Sequence, residues 1–119
     1  MRAVWIAAGW ALVAGIVYGS VMHSPPSLGF PEGDKFEHLG SYGLVMFWFC
    51  RLYFSRRVRL GYALGFVALG VALEFVQGWL GYRDFEIGDM VADAAGVALG
   101  WGAAIIFPIA LPGAGTEKR

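Results

Sequence analysis

Four apolar runs, separated by short polar stretches, make up almost the whole of this chain. The first extends from Val4 to Met22, about the length a helix needs to cross the hydrocarbon core of a bilayer. A connection rich in Pro and Gly follows, and the second run extends from Lys35 to Phe54. Asp34 and Glu37 stand before and within its first turn at the spacing of a capping box, in which each side chain satisfies a free backbone N–H. The third run covers Leu60 to Leu80, and the fourth, from Asp89 to Phe107, is stopped by Pro108 and Pro112. The pattern predicts an all-α fold: a single domain over residues 1–119 that forms an antiparallel four-helix transmembrane bundle, with helices at about 4–22, 35–54, 60–80 and 89–107. Ala11, Gly15 and Gly19 recur at helical spacing, and so do Gly61 and Gly65, which predicts faces for close helix approach or for association of copies into a homo-oligomer. The first run is expected to be a retained helix rather than a cleaved signal segment.

Composition strengthens the membrane reading. Hydrophobic residues make up 58% of the chain, charged residues only 15%, and the mean hydropathy is +0.60, outside the range of soluble globular domains. The formal net charge of zero hides a separation along the chain. Arg2, Arg51, Arg56, Arg57, Arg59, Lys118 and Arg119 fall on the side of the termini, whereas only Lys35 and Arg83 fall opposite. The positive-inside rule then puts both termini in the cytoplasm and nearly all the acids toward the outside. Tyr18, Trp79, Tyr82 and Phe85 are expected to anchor the outer interface, and Trp5, Tyr53, Phe54 and Tyr62 the inner one. Cys50 stands alone, which excludes an intrachain disulfide and a thiolate metal cluster, and it reads as a small apolar filler. Nothing in the chain reads as a nucleic-acid surface.

This topology brings polar faces of three helices to one leaflet. Asp34, His38 and Tyr42 line one face of the second helix, Glu74 and Gln77 share a face of the third, and Asp89, Asp93, Gly96 and Gly100 share a face of the fourth. At 1.5 Å rise per residue, Glu74 lies roughly 9 Å below Leu80 and Asp93 roughly 6 Å below Asp89. Carboxylates at such depth cost several kcal/mol, of order, unless they are paired or wetted. Asp34 and Asp89 stand at helix N-termini, which favour a carboxylate. Mutual repulsion among Glu74, Asp89 and Asp93 calls for relief by a shared proton, by a divalent cation, or by Lys35 or Arg83 folding inward, and Arg83 is the expected counter-charge.

The ordered set Asp34-Lys35-x-x-His38 with Tyr42, then Glu74-x-x-Gln77, then Arg83, then Asp89-x-x-x-Asp93-x-x-Gly96 resembles the VanZ-like family of small bacterial membrane proteins. The chain departs from that pattern at Asp93, where Asn is expected, and this adds a negative charge. The resemblance implies a multi-pass protein of the bacterial cytoplasmic membrane, related to one that confers resistance to the glycopeptide antibiotic teicoplanin. It implies no settled biochemical activity.

Two functions fit these residues. In the first, the site binds a membrane lipid head group or a lipid-linked precursor of the cell envelope, with Asp34, Lys35, Tyr42, Gln77, Arg83, Asp89 and Asp93 as binding residues. In the second, the protein is a hydrolase or transferase acting on a lipid-linked substrate, with His38 and Glu74 as acid and base. No cofactor is implied beyond the divalent cation. The sidedness is directly testable: a cysteine at Ser27 should be labelled in right-side-out cells by an impermeant thiol reagent, and one at Ser55 should not. The reverse pattern would overturn the assigned topology.

Overall fold

A computed structural model of the chain describes residues 2–22, 33–81 and 86–108. The described residues form α1 (Arg2–Val21), α2 (Gly33–Leu52), α3 (Arg56–Leu80) and α4 (Ile87–Ile106). The helices α1, α3 and α4 are each long and apolar enough to cross a membrane. α2, which carries Asp34, Lys35, Glu37 and Arg51, is less apolar and is not in that class.

Local chemistry explains where the helices begin and end. Ser55 adopts extended backbone (φ −64°, ψ 128°), and its hydroxyl accepts from the Val58 N–H at 3.4 Å, so α3 starts at Arg56 rather than near Leu60. The basic residues expected in a loop therefore lie on helices: Arg51 in the last turn of α2, and Arg56, Arg57 and Arg59 in the first turn of α3. Gly81 ends α3 in the left-handed conformation (φ 87°) that glycine adopts without strain. At the other two boundaries the shifts are small. α4 begins at Ile87, which puts Asp89 inside its first turn. α2 begins at Gly33, so Asp34 lies within the helix; its side chain, and with it the capping box, falls outside the described residues.

The most extensive contact is between α2 and α4. It is a contact of backbone on backbone. A Cβ at Gly43 would lie 3.2 Å from the carbonyl oxygen of Gly96, and one at Gly96 or Gly100 would run into the carbonyl oxygens of Leu39 and Gly43 respectively. α2 also meets α1 and α3, while α1 and α4 share no packed face among the described residues. Below the glycine contact, Phe49 is buried among Trp10, Tyr53, Tyr62 and Phe66, with ring centroids from 4.6 to 6.4 Å away. Tyr53 and Tyr62 were expected at an interface; instead they stack on each other at 5.2 Å within this cluster. Cys50 is fully buried beside it, as a filler should be.

The small-residue stripes are not packing faces within the chain. Ala11, Gly15, Gly61 and Gly65 are exposed, and a Cβ at Gly15, Gly19, Gly61 or Gly65 would meet nothing within 4 Å. The close approach of α1 uses Gly9 instead, against Trp48 and Phe49.

Arginines close one end of the bundle. Arg51 is buried and donates to the carbonyl oxygens of Ala104 (2.7 Å) and Phe107 (2.8 Å) at the end of α4. Arg59 donates to those of Cys50 (2.7 Å) and Tyr53 (2.8 Å), and Arg2 to that of Leu52 (3.0 Å), at the end of α2. Carbonyls at and just past helix C-termini lack intrahelical donors as a rule and lie at the negative end of the helix dipole, so guanidinium groups suit them. Because Ser55 is buried as a cap, exposed Arg57 is the better position on that turn for a cysteine that reports sidedness.

The glycine contact predicts a sharp contrast. Gly96→Ala should lower stability by roughly 1–3 kcal/mol through overpacking against backbone that cannot yield, whereas Gly15→Ala and Gly61→Ala should be neutral or slightly stabilising. Thermal unfolding of the purified variants in detergent measures this, and equal effects at Gly96 and Gly15 would contradict the packing.

Candidate functional site

The glycine contact holds the N-terminal parts of α2 and α4 side by side, and the polar residues of both fall there. His38, five residues before Gly43, faces Asp93 and Asp89, which lie one and two turns before Gly96. The imidazole Nδ1 is 2.6 Å from Asp93 Oδ1, and Nε2 is 3.8 Å from Asp89 Oδ2. The short contact with Asp93 orients the imidazole, and its protonated form would lie within ion-pair distance of Asp89 as well. Tyr42, one turn further along α2, is buried with its ring parallel to that of His38 at 6.4 Å.

The mouth of this group is closed by a lysine. The Lys35 ammonium lies 3.0 Å from Glu86 Oε2 and 3.6 Å from Asp89 Oδ1, and its stem crosses Gly88, where a Cβ would be 2.7 Å from Lys35 Cε. Lys35 and Glu86 are partly exposed, whereas Asp89 is buried.

The end of α3 brings Glu74. Its carboxylate is 1% exposed, and Oε1 accepts a hydrogen bond from the backbone N–H of Glu86, just ahead of α4. Asp93 is also 1% exposed, and its Oδ2 lies against Gly70, one turn before Glu74 on α3; a Cβ at Gly70 would be 2.5 Å from that oxygen. Gly70 thus leaves the space that Asp93 occupies. Among the described residues, neither Glu74 Oε2 nor Asp93 Oδ2 has a hydrogen-bond partner. His38 is in direct contact with Asp93, and its charge, when protonated, also acts on Glu74, as do the charges of Asp93 and Glu86.

The residues picked out by spacing therefore separate into groups. His38, Glu74, Asp89 and Asp93 come together, with Lys35 at the rim and Tyr42 behind His38. Gln77 is buried, but its Nε2 donates to the carbonyl oxygen of Ser20 at 3.0 Å, tying the ends of α3 and α1. That is interhelical fastening at the edge of the cluster. Arg83, expected as the counter-charge, lies outside the described residues, as does the side chain of Asp34. Sequence reasoning missed Glu86, which pairs with Lys35 and caps Glu74 through its own N–H. It also missed Gly43, whose role is to be small. Among the described residues, no group of three or more His, Cys, Asp or Glu side chains is arranged to hold a metal ion.

Chemically, the arrangement offers a positioned imidazole, carboxylate oxygens in apolar surroundings and one ammonium at the entrance. Comparison of the chain with protein-family models, with curated proteins and with solved structures finds no match in any of the three.

Glu74 gives this site a stability signature. An unpartnered buried carboxylate oxygen carries a desolvation penalty of roughly 1–3 kcal/mol, and Glu74→Gln keeps the acceptor for Glu86 while removing the formal charge. Glu74→Gln should therefore raise the unfolding temperature in detergent, and Glu74→Ala, which abandons the Glu86 N–H, should lower it. Equal losses for both variants would show that the carboxylate is held by something outside this cluster.

Proposed function

We propose that this chain is a multi-pass protein of the bacterial cytoplasmic membrane, an antiparallel four-helix bundle with both termini inside, and that it is a relative of the VanZ-like proteins. Its polar site at the outer leaflet binds a lipid head group or a lipid-linked precursor of the cell envelope. One observation carries the membrane reading. Phe75, Val76, Trp79 and Val91 are exposed, while Glu74, Gln77, Asp89 and Asp93, their neighbours on the same helices, are buried. A surface of large apolar side chains around a polar interior is the arrangement that hydrocarbon favours. Trp79, 84% exposed, and Tyr18, 67% exposed, stand where the outer head groups would be. The binding reading is supported by the carboxylate oxygens of Glu74 and Asp93, buried without hydrogen-bond partners among the described residues. Groups held in that state at a cost to folding are characteristic of sites that are completed by a ligand. By resemblance, the bound molecule would belong to the envelope that glycopeptide antibiotics attack.

A second reading, catalysis on a lipid-linked substrate, is favoured by the 2.6 Å contact of His38 with Asp93, which resembles a general base and its orienting carboxylate, with Glu74 as the second acid or base. Substitution separates the two. Lipid that co-purifies with the wild-type protein in nanodiscs should be a defined species by mass spectrometry, and His38→Ala and Asp93→Asn should release it if the protein is a binder. An enzyme would keep that species in Glu74→Gln and accumulate it unconverted. Recovery of only the bulk lipid composition with all of these proteins would refute both readings.

A further inference from the structure

The chemistry of the innermost oxygens narrows the ligand. We infer that the group received by this site is a primary ammonium on a flexible stem, an amine head group, and not a phosphate; this inference rests on the binding function proposed above. Glu74 and Asp93 each have one carboxylate oxygen satisfied, by the Glu86 N–H and by His38, and one oxygen, Oε2 and Oδ2, without a hydrogen-bond partner among the described residues. While ionised, both are acceptors only, so what completes them then must donate. A phosphate brings more acceptors and more negative charge to a place that already holds Glu74, Glu86, Asp89 and Asp93. Two carboxylates at 1% exposure also leave no room for a bulky group, whereas an ammonium on an alkyl chain is slim and carries three donors.

The protein itself displays the pairing at the entrance. There the carboxylates of Glu86 and Asp89 are bridged by a primary ammonium, that of Lys35, whose stem is admitted because Gly88 has no side chain. Glu74 and Asp93 lie deeper, on α3 and α4; there Asp93 meets the His38 imidazole, no ammonium of the described residues reaches them, and each acid keeps one oxygen without a hydrogen-bond partner among the described residues. His38 is 15% exposed by its side chain and lies between the two levels, so an entering ammonium would pass from Asp89 to Asp93 along the imidazole.

The test uses the full chain in nanodiscs of phosphatidylglycerol doped in equal amounts with phosphatidylethanolamine, with phosphatidylcholine or with a neutral glycolipid. Lipid retained on the protein through detergent extraction is then quantified. Phosphatidylethanolamine should be retained about tenfold over each of the others, the factor supplied by one charge-assisted hydrogen bond, because choline has no N–H to donate. Glu74→Gln and Asp93→Asn should each reduce that preference to parity while remaining folded by thermal unfolding, and Glu37→Gln, which removes an acid from the same leaflet, should keep it. Free ethanolamine in detergent should raise the unfolding temperature of the wild type and not of Glu74→Gln if the head group alone is recognised. Preference for phosphatidylglycerol or the glycolipid that is lost in Glu74→Gln would overturn the amine inference and leave lipid binding standing. A preference for phosphatidylethanolamine that survives both substitutions would overturn the inference, and no preference at all would overturn the binding function with it.

Discussion

The closeness of α2 to α4 decides most of what this molecule contains. Between helices immersed in lipid there is little hydrophobic drive to associate, since lipid tails are as apolar as Leu, and contact must come from packing and interhelical hydrogen bonds. Gly43, Gly96 and Gly100 let carbonyl oxygens of one helix rest on the backbone of the other. That distance is what allows His38 to reach Asp93 at 2.6 Å with a short side chain. At the opposite end, Arg51 on α2 reaches the last carbonyls of α4. The helix pair is thus fixed by hydrogen bonds above and below a glycine contact, and the register of the site follows from that contact.

Charge is sorted end from end in the same way. The C-termini of α2 and α4 lie together, and Arg2, Arg51 and Arg59 satisfy carbonyls there. Their N-terminal parts hold the acids. Asp89, in the first turn of α4, benefits from the dipole and from Lys35, but Asp93 lies a turn deeper, where that benefit fades, and depends on His38. Glu74 is in the less favourable position, close to the C-terminal end of α3, where the dipole opposes a negative charge. Its compensation is a backbone N–H from the start of α4, supplied by Glu86. One helix N-terminus thus serves carboxylates from two helices.

Helices and the polar cluster were legible in the sequence because both depend on period alone. Asp89, Asp93, Gly96 and Gly100 recur on one face, and all four are buried. What period cannot give is which face meets which neighbour. The stripe Ala11, Gly15 and Gly19 has the same spacing as a packing motif, yet within the chain the close contact is made by Gly9, whose neighbours Trp48 and Phe49 come from a different helix. Gln77 shares a face with Glu74, but three residues further along it has passed the end of the cluster and meets Ser20 of α1. The arginines looked like loop residues that set sidedness; nothing local to Arg51 shows that Ala104 and Phe107 will come to lie beside it. Ser55 is the exception, since a serine ahead of a helical run is a local start signal that the arginines obscured.

α2 shows why apolarity along a sequence and position in a bundle are separate quantities. Like α3 it meets the other three helices, but its contact with α4 is the most extensive in the bundle, and Tyr42, Val45, Met46, Phe49, Cys50, Arg51 and Leu52 are all buried on it. A helix so largely covered presents less of itself to its surroundings, so it can carry Lys35, His38 and Arg51 where each finds a partner on α4 or at its edge. The outer helices have no such freedom, and their exposed positions are filled by residues such as Val4, Leu64, Phe75, Leu99 and Ile105. The polarity of α2 and the apolarity of its neighbours are therefore two sides of one requirement. The polar side chains of α2 face partners on α4, and the site forms where the N-terminal parts of these two helices meet beside Glu74 of α3.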